Sequence, residues 1–411
     1  MSAALQIAAA QQFGTPVYLY DLDILTARLA LLSGLFGDRF GLSYAVKANP
    51  NMAILQAVKP WLATFDASSI AEVERALVAG MAPARITFSG PAKRDAELQR
   101  AIAVGVGEMV LENEGEARRL SRFAVAAGQV QKVLVRINPR RVPRGFGASM
   151  AATPSQFGID EEDLASALPM IRDLPGLELI GFHIYSGTNC RDAAAIAENF
   201  AIFADLFRRA QAIAGIAPQA LVFGSGFGVP YLPGETHLDH AALPARINPI
   251  IDALRAEAPF ARARCTLELG RWLVAPAGWL LTGVISAKPS RGAAIRCLDA
   301  GFNNHLAAAS MMGTVIPRNW VFANVTNPDG AVAPHTLTGP LCTSIDRLAV
   351  AAELPDVRVG DVLSVAMSGA YGLTASPSRF ISHPEPREVV AERGQLRDVT
   401  ESLLNHPQKG A

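Results

Sequence analysis

Short apolar runs of the kind that form β-strands alternate with longer helical segments from about Asp21 to Arg271. Strands joined by helices form parallel sheets, because each helical crossover brings the chain back to the end of the sheet at which the previous strand began. Eight such units over roughly 250 residues predict an α/β fold, a (β/α)8 barrel of the TIM type, with a doubly wound sheet as the alternative. The predicted strands are Gly41–Ala48, Thr64–Ser68, Arg85–Ser89, Glu108–Glu112, Lys132–Asn138, Leu179–Tyr185, Ala220–Gly224 and Cys265–Leu269. The predicted helices include Ser69–Ala79, Lys93–Ala103, Glu114–Ala127, Asp192–Ile213 and Leu243–Ala258.

The pattern changes after Arg271, where strand-like runs follow one another with proline and glycine between them. The run Pro16–Tyr20 near the N-terminus also has the character of a strand. We therefore expect a barrel over residues 22–260 and a β-rich domain formed by residues 1–21 and 261–411. The strands predicted for the second domain are Val274–Ile285, Ala294–Asp299, Ala331–Thr338 and Asp361–Ala366.

The composition favours a large folded core and does not call for a charged partner. Apolar residues make up 50% of the 411 residues, and lysine plus arginine balance aspartate plus glutamate at 37 each. No nucleic acid or anionic membrane is implied by a net charge of zero. The segment Met1–Gly14 lacks the features of a secretory signal. The very apolar stretch Trp272–Ala287 is interrupted by proline and glycine, so we predict buried strands there rather than a membrane span.

The four cysteines have neither metal-ligand spacing nor the pattern of a disulfide framework. They are Cys190, Cys265, Cys297 and Cys342. A reducing, cytoplasmic compartment is therefore expected, and no metal site.

Lys47 is the first candidate for chemistry, since it ends the first predicted strand in the segment Ser43–Asn49. Barrel enzymes carry their reactive groups at the carboxyl ends of the strands. Desolvation in an apolar setting lowers the pKa of a lysine and makes the amine a better nucleophile. The structural alternative is a lysine that buries its aliphatic stem or pairs with a carboxylate.

Other strand ends supply compatible groups. The glycine-rich turn Phe223–Gly228 ends the seventh strand, where backbone N–H groups could surround a phosphate, although most short glycine clusters are only tight turns. Glu268 and Arg271 end the eighth strand and could address a ring nitrogen and a phosphate. His183 ends the sixth strand, where a core histidine is the alternative.

Taken together, these positions resemble the fold-type III pyridoxal-phosphate decarboxylases, the family that contains ornithine/arginine and diaminopimelate decarboxylases. The resemblance runs over almost the whole chain and follows the order of the family's motifs. Any one of the motifs is a weak signal, whereas the ordered series is specific. The further motifs are Tyr44–Asn49, Phe65–Ser69, Phe88–Lys93, Arg136–Pro139, Gly339–Cys342 and Gly369–Gly372.

The resemblance implies a role for each matching residue. Lys47 would hold pyridoxal 5′-phosphate covalently through its amine, and His183 would stack on the pyridine ring. Glu268 would pair with the ring nitrogen and keep it protonated, which makes the ring an electron sink. Asp66 and Arg136 would steer Lys47 and Glu268. The phosphate would be held by Ser186, Gly226, Gly228, Arg271 and Tyr371.

The resemblance also implies a homodimer with a shared active site, to which the β-rich domain contributes. Cys342 would come from the other subunit and return a proton to the substrate after CO2 leaves. Two departures from the family pattern, Ser225 in the phosphate loop and Leu269 after Glu268, remove no functional group.

A third departure concerns the substrate. Ornithine and diaminopimelate decarboxylases carry an acidic residue after the cysteine, where this chain has Thr343. A buried ammonium without a carboxylate partner is costly, although Asp346 could still supply one. A small amino acid with a free distal ammonium is therefore disfavoured.

Three segments are similar to a biosynthetic subgroup that includes the decarboxylase of a glutamyl group carried by an acyl carrier protein. They are Gln156–Asp160, Cys342–Asp346 and Gly372–Pro377. The basic loop Arg140–Arg144 follows the fifth strand and could meet an acidic carrier protein or a substrate carboxylate, or it could be a solvated loop.

The sequence thus predicts the decarboxylation of an amino acid or of its carrier-protein conjugate. The alternatives are a decarboxylase of a free diamino acid such as diaminopimelate or ornithine, a racemase that uses the same cofactor, and a non-catalytic regulator that binds the cofactor. Cys342 and the long β-rich domain argue against a racemase, and the presence of both Lys47 and Cys342 argues against a non-catalytic regulator.

Overall fold

A closed barrel of parallel strands forms the larger part of the structure, a computed structural model that describes residues 1–149, 151–312 and 318–401. In these residues eight strands pair in chain order, and the eighth pairs with the first to close the barrel. The strands are Gly41–Ala45, Thr64–Ala67, Ile86–Phe88, Glu108–Leu111, Gln131–Asn138, Leu177–Ile184, Ala220–Gly224 and Arg264–Leu269. The predicted barrel is confirmed, and each predicted strand overlaps one of these.

The barrel extends beyond the boundary expected at residue 260. The strand Arg264–Leu269 pairs with Ala220–Gly224 on one side and with Gly41–Ala45 on the other. It therefore belongs to the barrel and not to the β-rich part, because without it the barrel would stay open.

Helices follow most barrel strands, and several begin at polar residues whose side chains cap the free N–H groups. Ser69 accepts a hydrogen bond from Glu72 N at 3.2 Å, and Asn113 accepts one from Glu116 N at 2.8 Å. The helices are Ala3–Phe13, Leu22–Phe36, Met52–Val58, Ile70–Val78, Asp95–Val104, Glu114–Ala126, Leu164–Arg172, Ala193–Ala214, Leu243–Ala256 and Arg271–Val274. None of the helices within the described ranges is long and apolar enough to cross a membrane.

The long helix Ala193–Ala214 fixes the position of the seventh barrel strand. Phe200, Phe203 and Phe207 repeat at helical spacing and pack against Phe223, with ring centroids 5.1–6.2 Å apart. All four rings are fully buried. The strand therefore delivers the glycine-rich turn that follows it from a rigid support.

A second sheet forms the β-rich domain, in which Val17–Asp21 lies between two C-terminal strands. It pairs antiparallel with Gly278–Ser290 and parallel with Arg387–Glu392. The stretch predicted to be strand from Trp272 begins instead with the helix Arg271–Val274 and a turn that contains Pro276, because proline cannot donate to a sheet ladder. The strands of this sheet are Val17–Asp21, Gly278–Ser290, Ala293–Leu298, Phe322–Asn324, Val332–Thr338, Arg347–Pro355, Val362–Val365, Arg387–Glu392 and Gln395–Asp398.

Backbone contacts join the β-rich domain to the segment that carries Lys47. Tyr371 N donates to Ala48 O, and Asn49 Nδ2 donates to Gly369 O, both at 2.9 Å. A Cβ at position 369 would lie 1.9 Å from Val274 O, so only glycine permits this approach. The two domains therefore contact each other at Ala48 and Asn49, the two residues that follow Lys47.

A buried ion pair supports the third and fourth strand ends. Lys93 Nζ lies 2.5 Å from Glu116 Oε1 and also donates to Gly90 O and Val110 O, at 2.9 and 2.7 Å. The two charged side chains are only 2% and 1% exposed. Every N–H of the ammonium is thus used inside the protein.

Replacing Lys93 by methionine should lower the free energy of unfolding by about 3–5 kcal/mol, because it leaves the Glu116 carboxylate buried without its partner. Burial already raises the pKa of Glu116, and Lys93 opposes that rise. The variant should therefore lose less stability at low pH, where Glu116 is protonated in both the folded and the unfolded chain. Urea denaturation at pH 7 and pH 4.5 measures both effects.

The control is Arg100→Met, which removes an exposed pair with Glu74 and should change stability by about 1 kcal/mol or less. Equal losses in Lys93→Met and Arg100→Met would contradict the assignment.

Candidate active site

Lys47 lies just beyond the first barrel strand, in the short turn Val46–Ala48. Its neighbours in the turn are buried, whereas its side chain is accessible because it lines an open cavity. The ammonium Nζ donates to Ser68 Oγ at 3.4 Å. A reactive amine is thus presented to a cavity at the carboxyl end of the barrel.

The charges around Lys47 act against the expected lowering of its pKa. Burial lowers the pKa of Lys47, but the nearby Asp66, Tyr371 and Glu268 together outweigh burial and leave it raised. The sequence-based expectation of a lowered pKa was therefore wrong for the chain without a bound cofactor. Two carboxylates stabilise the ammonium more than the apolar surroundings disfavour it.

Asp66 ends the second strand and is buried beside Lys47. Its Oδ1 accepts a hydrogen bond from Ser89 Oγ at 2.7 Å, while Oδ2 has no partner among the described residues. Burial, with a further contribution from Glu268, raises the pKa of Asp66 well above its usual value. The free oxygen is available to a group that enters the cavity.

Glu268 ends the eighth strand and pairs with His183 from the sixth. His183 Nε2 and Glu268 Oε2 lie 3.1 Å apart, and His183 Nδ1 has no partner within the described chain. Burial raises the pKa of Glu268, but His183, Lys47 and Arg136 outweigh it and leave the pKa lowered. Glu268 is therefore held as a carboxylate.

Arg136, at the end of the fifth strand, is held by Glu112, which the sequence analysis did not single out. Arg136 Nη1 lies 3.1 Å from Glu112 Oε1, and its guanidinium carbon is 4.4 Å from the ring centroid of Phe157. Glu112 also accepts hydrogen bonds from Gly90 N and Gly158 N, at 3.2 and 2.7 Å. The available signal was a glutamate at the end of a buried strand.

The glycine-rich turn after the seventh strand has no room for side chains. Gly226 has a φ of +63°, and a Cβ there would lie 2.7 Å from Gly187 O. A Cβ on Gly228 would lie 2.6 Å from the backbone carbon of Asn189. The turn thus brings backbone without a side chain beside the cavity at Gly226, as a phosphate cradle requires, whereas Gly228 N already donates to Cys190 O at 2.8 Å.

The other residues predicted to hold a phosphate lie around this turn. Ser186 Oγ donates to Asn199 Oδ1 at 2.8 Å, and Arg271 Nη1 donates to Tyr231 OH at 2.7 Å. The guanidinium carbon of Arg271 is 4.7 Å from the ring centroid of Tyr371, and burial raises the pKa of Tyr371 to about 12. Arg271, Tyr371 and Gly226 line the same cavity as Lys47.

These observations fit pyridoxal phosphate. His183 Nδ1 and Asp66 Oδ2 are buried polar atoms without partners among the described residues, which a ligand could satisfy. Gly226 and Arg271, which can offer N–H donors, line the cavity together with the Glu268 carboxylate. An amine, a carboxylate and an anion cradle are therefore disposed around one cavity.

Cys342 and Thr343 lie elsewhere in the fold. Cys342 is exposed in a loop of the β-rich domain, and neither residue is among the described residues that line the cavity of Lys47. Within one chain, the structure does not bring the predicted proton donor to the cofactor site.

Asp346 is not available to a substrate, contrary to the sequence-based suggestion. It is 3% exposed, and its two oxygens accept hydrogen bonds from Phe302 N and Leu341 N, both at 2.9 Å. Asp346 therefore stabilises the loop that carries Cys342, and its carboxylate is not free to bind a substrate.

The basic loop after the fifth strand is largely neutralised by neighbouring acids. Arg140 Nη2 lies 2.6 Å from Glu162, and Arg141 Nη2 lies 2.9 Å from Glu198. Two of its three arginines are thus engaged in exposed ion pairs, which favours the solvated-loop interpretation.

Comparison with known proteins agrees with the geometry. The model of the family described as "Pyridoxal-dependent decarboxylase, pyridoxal binding domain" matches residues 23–275. The L-glutamyl-(BtrI acyl-carrier protein) decarboxylase of Niallia circulans is 30% identical over 390 residues, which cover 94% of this chain and 91% of that protein. The diaminopimelate decarboxylase of Methanothermobacter thermautotrophicus is 30% identical over 404 residues, covering 96% and 91%.

A solved structure shares the whole architecture. The crystal structure of diaminopimelate decarboxylase from Helicobacter pylori complexed with L-lysine has a TM-score of 0.84 and 26% sequence identity, and the match covers 96% of each chain. The barrel, the cofactor cavity and these relatives lead to one assignment. The chain belongs to the pyridoxal-dependent decarboxylases and is a pyridoxal-phosphate-dependent amino-acid decarboxylase.

Proposed function

We propose that the protein removes the α-carboxyl group of an amino acid, free or attached to a carrier protein, at a site that a second subunit completes. The observation that carries the proposal is that Lys47 and Glu268 line one cavity at the carboxyl end of the barrel, with Asp66 buried near Lys47 and His183 bonded to Glu268. Bound at Lys47, pyridoxal phosphate supplies an electron sink for the electrons left on the α-carbon when CO2 departs.

Glu268 keeps that sink effective by pairing with a protonated ring nitrogen. Its lowered pKa favours the carboxylate form that such a pair needs. His183 bonds Glu268 at 3.1 Å and thereby orients it. Arg136, held by Glu112, adds a positive charge that further stabilises the carboxylate.

Lys47 supplies the amine that holds the cofactor, and the neighbouring Asp66 favours the protonated form of that amine. The raised pKa of Lys47 means that the amine carries a proton before the cofactor binds. Ser186, Gly226, Gly228, Arg271 and Tyr371 hold the phosphate.

Cys342 of a second subunit gives a proton from Sγ to the α-carbon once CO2 has left. Cys342 is exposed, and it is not among the described residues that line the cavity of Lys47 in the same chain. Both observations support a homodimer with shared sites. Exposed Ile345 beside it adds apolar surface of the kind that subunits bury. The β-rich domain thus contributes both to the dimer and to the active site, and the absence of disulfides in the described residues supports a cytoplasmic protein.

The substrate is proposed to be an α-amino acid whose distal end carries no free ammonium. Similarity to the glutamyl-carrier-protein decarboxylase supports a carrier-bound amino acid. The absence of a free distal ammonium is supported by Thr343, which stands in place of an acidic residue, and by Asp346, whose carboxylate is already hydrogen-bonded to the backbone. Similarity to diaminopimelate decarboxylases favours a free diamino acid as the second candidate. Release of labelled CO2 from free amino acids and from carrier-protein conjugates separates the two.

For Lys47→Ala we expect the long-wavelength absorbance of the bound cofactor to disappear and CO2 release to fall by roughly 10⁴-fold or more, because no other amine lines the cavity among the described residues. Absorbance spectra with added pyridoxal phosphate provide the measurement. Lys132→Ala changes an exposed lysine at the opposite end of the barrel and should leave the spectrum unchanged. Identical spectra for wild type and Lys47→Ala would refute the assignment.

In Arg136→Gln the pKa of Glu268 should rise, because the variant loses one of the charges that lower it. The acid limb of the profile of kcat/KM against pH should therefore move to higher pH, with roughly a tenfold loss below neutrality. The double variant Arg136→Gln/Glu112→Gln should keep this shift while regaining stability, since it leaves no unpaired buried carboxylate. Arg140→Gln, at an exposed pair, serves as the control, and an unchanged acid limb in Arg136→Gln would exclude the electrostatic role.

Cys342→Ala should bind the cofactor normally and lower kcat by roughly 10²–10⁴-fold, the contribution typical of a positioned proton donor.

Equal amounts of Lys47→Ala and Cys342→Ala subunits, mixed and allowed to exchange, should recover roughly a quarter of wild-type activity, because half the dimers then hold one intact shared site. Cys297→Ala is the matched thiol control. No recovery on mixing, despite subunit exchange measured by native mass spectrometry, would rule out a shared site.

A further inference from the structure

An open cleft of about 370 Å³ adjoins the cofactor cavity, and both are lined by Thr188, Arg271 and Tyr371. We call this space the outer cleft. Binding sites of roughly 300–1,000 Å³ hold drug-sized ligands, so the outer cleft exceeds the needs of a small free amino acid. A substrate bound at Lys47 would extend into it.

One wall of the outer cleft is a fixed aromatic stack. The rings of Tyr231 and Trp320 are stacked with centroids 4.5 Å apart. Tyr231 OH accepts a hydrogen bond from Arg271, and Trp320 packs edge-on against buried His305 at 4.6 Å. The wall is thus held from the cofactor side and from the β-rich domain, and its shape is set before a ligand enters.

The acidic residue of the outer cleft is already used. Glu235 accepts hydrogen bonds from Tyr231 N, Leu232 N and Arg191 Nη2, at 2.9, 3.1 and 2.7 Å. No other carboxylate is found among the described residues that line the outer cleft. A distal ammonium would therefore lose water without gaining a free anionic partner.

Arg318 is different, since its charge is not neutralised within the described chain. Its backbone is fixed by Ser310, which accepts from Arg318 N at 3.1 Å and donates to Arg318 O at 2.9 Å. No described carboxylate forms an ion pair with Arg318, an exposed residue that lines both the outer cleft and a neighbouring cavity. Arg271 also lines the outer cleft but already bonds Tyr231 and faces the cofactor cavity. The available charge in the outer cleft is thus positive.

We infer that the outer cleft binds the distal part of the substrate and that Arg318 is the specificity-determining residue, which binds an anionic group there. The inference rests on the proposed function and narrows its substrate class. The anion is either a side-chain carboxylate of a dicarboxylic amino acid or the phosphate of a carrier arm. Guanidinium groups bind both through paired, charge-assisted hydrogen bonds.

The test compares wild type with Arg318→Gln, Arg318→Lys and the control Arg347→Gln. Arg347 is an exposed arginine that lines the neighbouring cavity together with Arg318 but is not among the described residues that line the outer cleft. The probes are L-glutamate, the γ-glutamyl thioester of 4′-phosphopantetheine, the same thioester without phosphate, and L-lysine. For each probe, kcat and KM for CO2 release are measured, together with Kd from titration of the cofactor absorbance.

For the anionic probe that the wild type prefers, Arg318→Gln should raise KM and Kd by roughly 10- to 100-fold, with kcat changed by about twofold or less. Arg318→Lys should keep part of the affinity, and Arg347→Gln should match wild type. An effect limited to L-glutamate identifies a carboxylate as the ligand. An effect that vanishes when the thioester lacks phosphate identifies the phosphate.

A preference of wild type for L-lysine, or an equal rise in KM for lysine and the anionic probes in Arg318→Gln, would overturn the inference. So would a wild-type protein that binds no anionic probe. If wild type binds the anionic probes but releases CO2 from none, the proposed function fails while the Kd values still decide the role of Arg318. An unchanged cofactor spectrum in each variant verifies that the fold and the cofactor site are intact.

Discussion

The balance of opposite charges at the carboxyl end of the barrel is the constraint on which the site depends. His183, Arg136, Asp66 and Glu268 are buried at this end of the barrel, and the charge of Lys47 acts on them from the cavity that it lines. Each charge is tolerated there because another offsets it. Burial alone would raise the pKa of Glu268, yet His183, Lys47 and Arg136 leave it lowered, so the charge of this carboxylate depends on residues from several strands.

The barrel and the inner site could be predicted from the sequence because both follow from local patterns. Strand and helix periodicity fixed the eight barrel strands to within a few residues, and strand ends are where barrel enzymes place reactive groups. Lys47, Glu268 and the Gly226 turn each end a strand, so they meet at one cavity once the barrel closes. The limits of the second domain were harder to predict because its strands are short and separated by loops, and the boundary expected at residue 260 excluded the eighth barrel strand although the strand itself was predicted.

The properties that arise between distant segments could not be read from the sequence. The pKa of Lys47 is raised by carboxylates from the second and eighth strands, so its own apolar neighbours gave the wrong direction. In the sequence, Asp346 stands where it could bind a substrate ammonium, but both of its oxygens accept hydrogen bonds from backbone N–H groups of Phe302 and Leu341. The outer cleft combines Tyr231 from the barrel with Trp320 from the β-rich domain, and no motif joins them. Such features depend on side-chain geometry, which periodicity does not encode.

The pairing of Val17–Asp21 with Arg387–Glu392 has a consequence for the order in which the protein is made and assembled. Tyr20 OH bonds Glu388 Oε1 at 2.9 Å across a sequence separation of 368 residues. An emerging chain can close its barrel early, but this strand must wait for the last part of the sheet to leave the ribosome. Because the same domain supports the turn of Lys47 through Gly369 and Tyr371, a fully formed cofactor site is a late product of folding. Capture of the cofactor is then a step that follows synthesis rather than one that guides it.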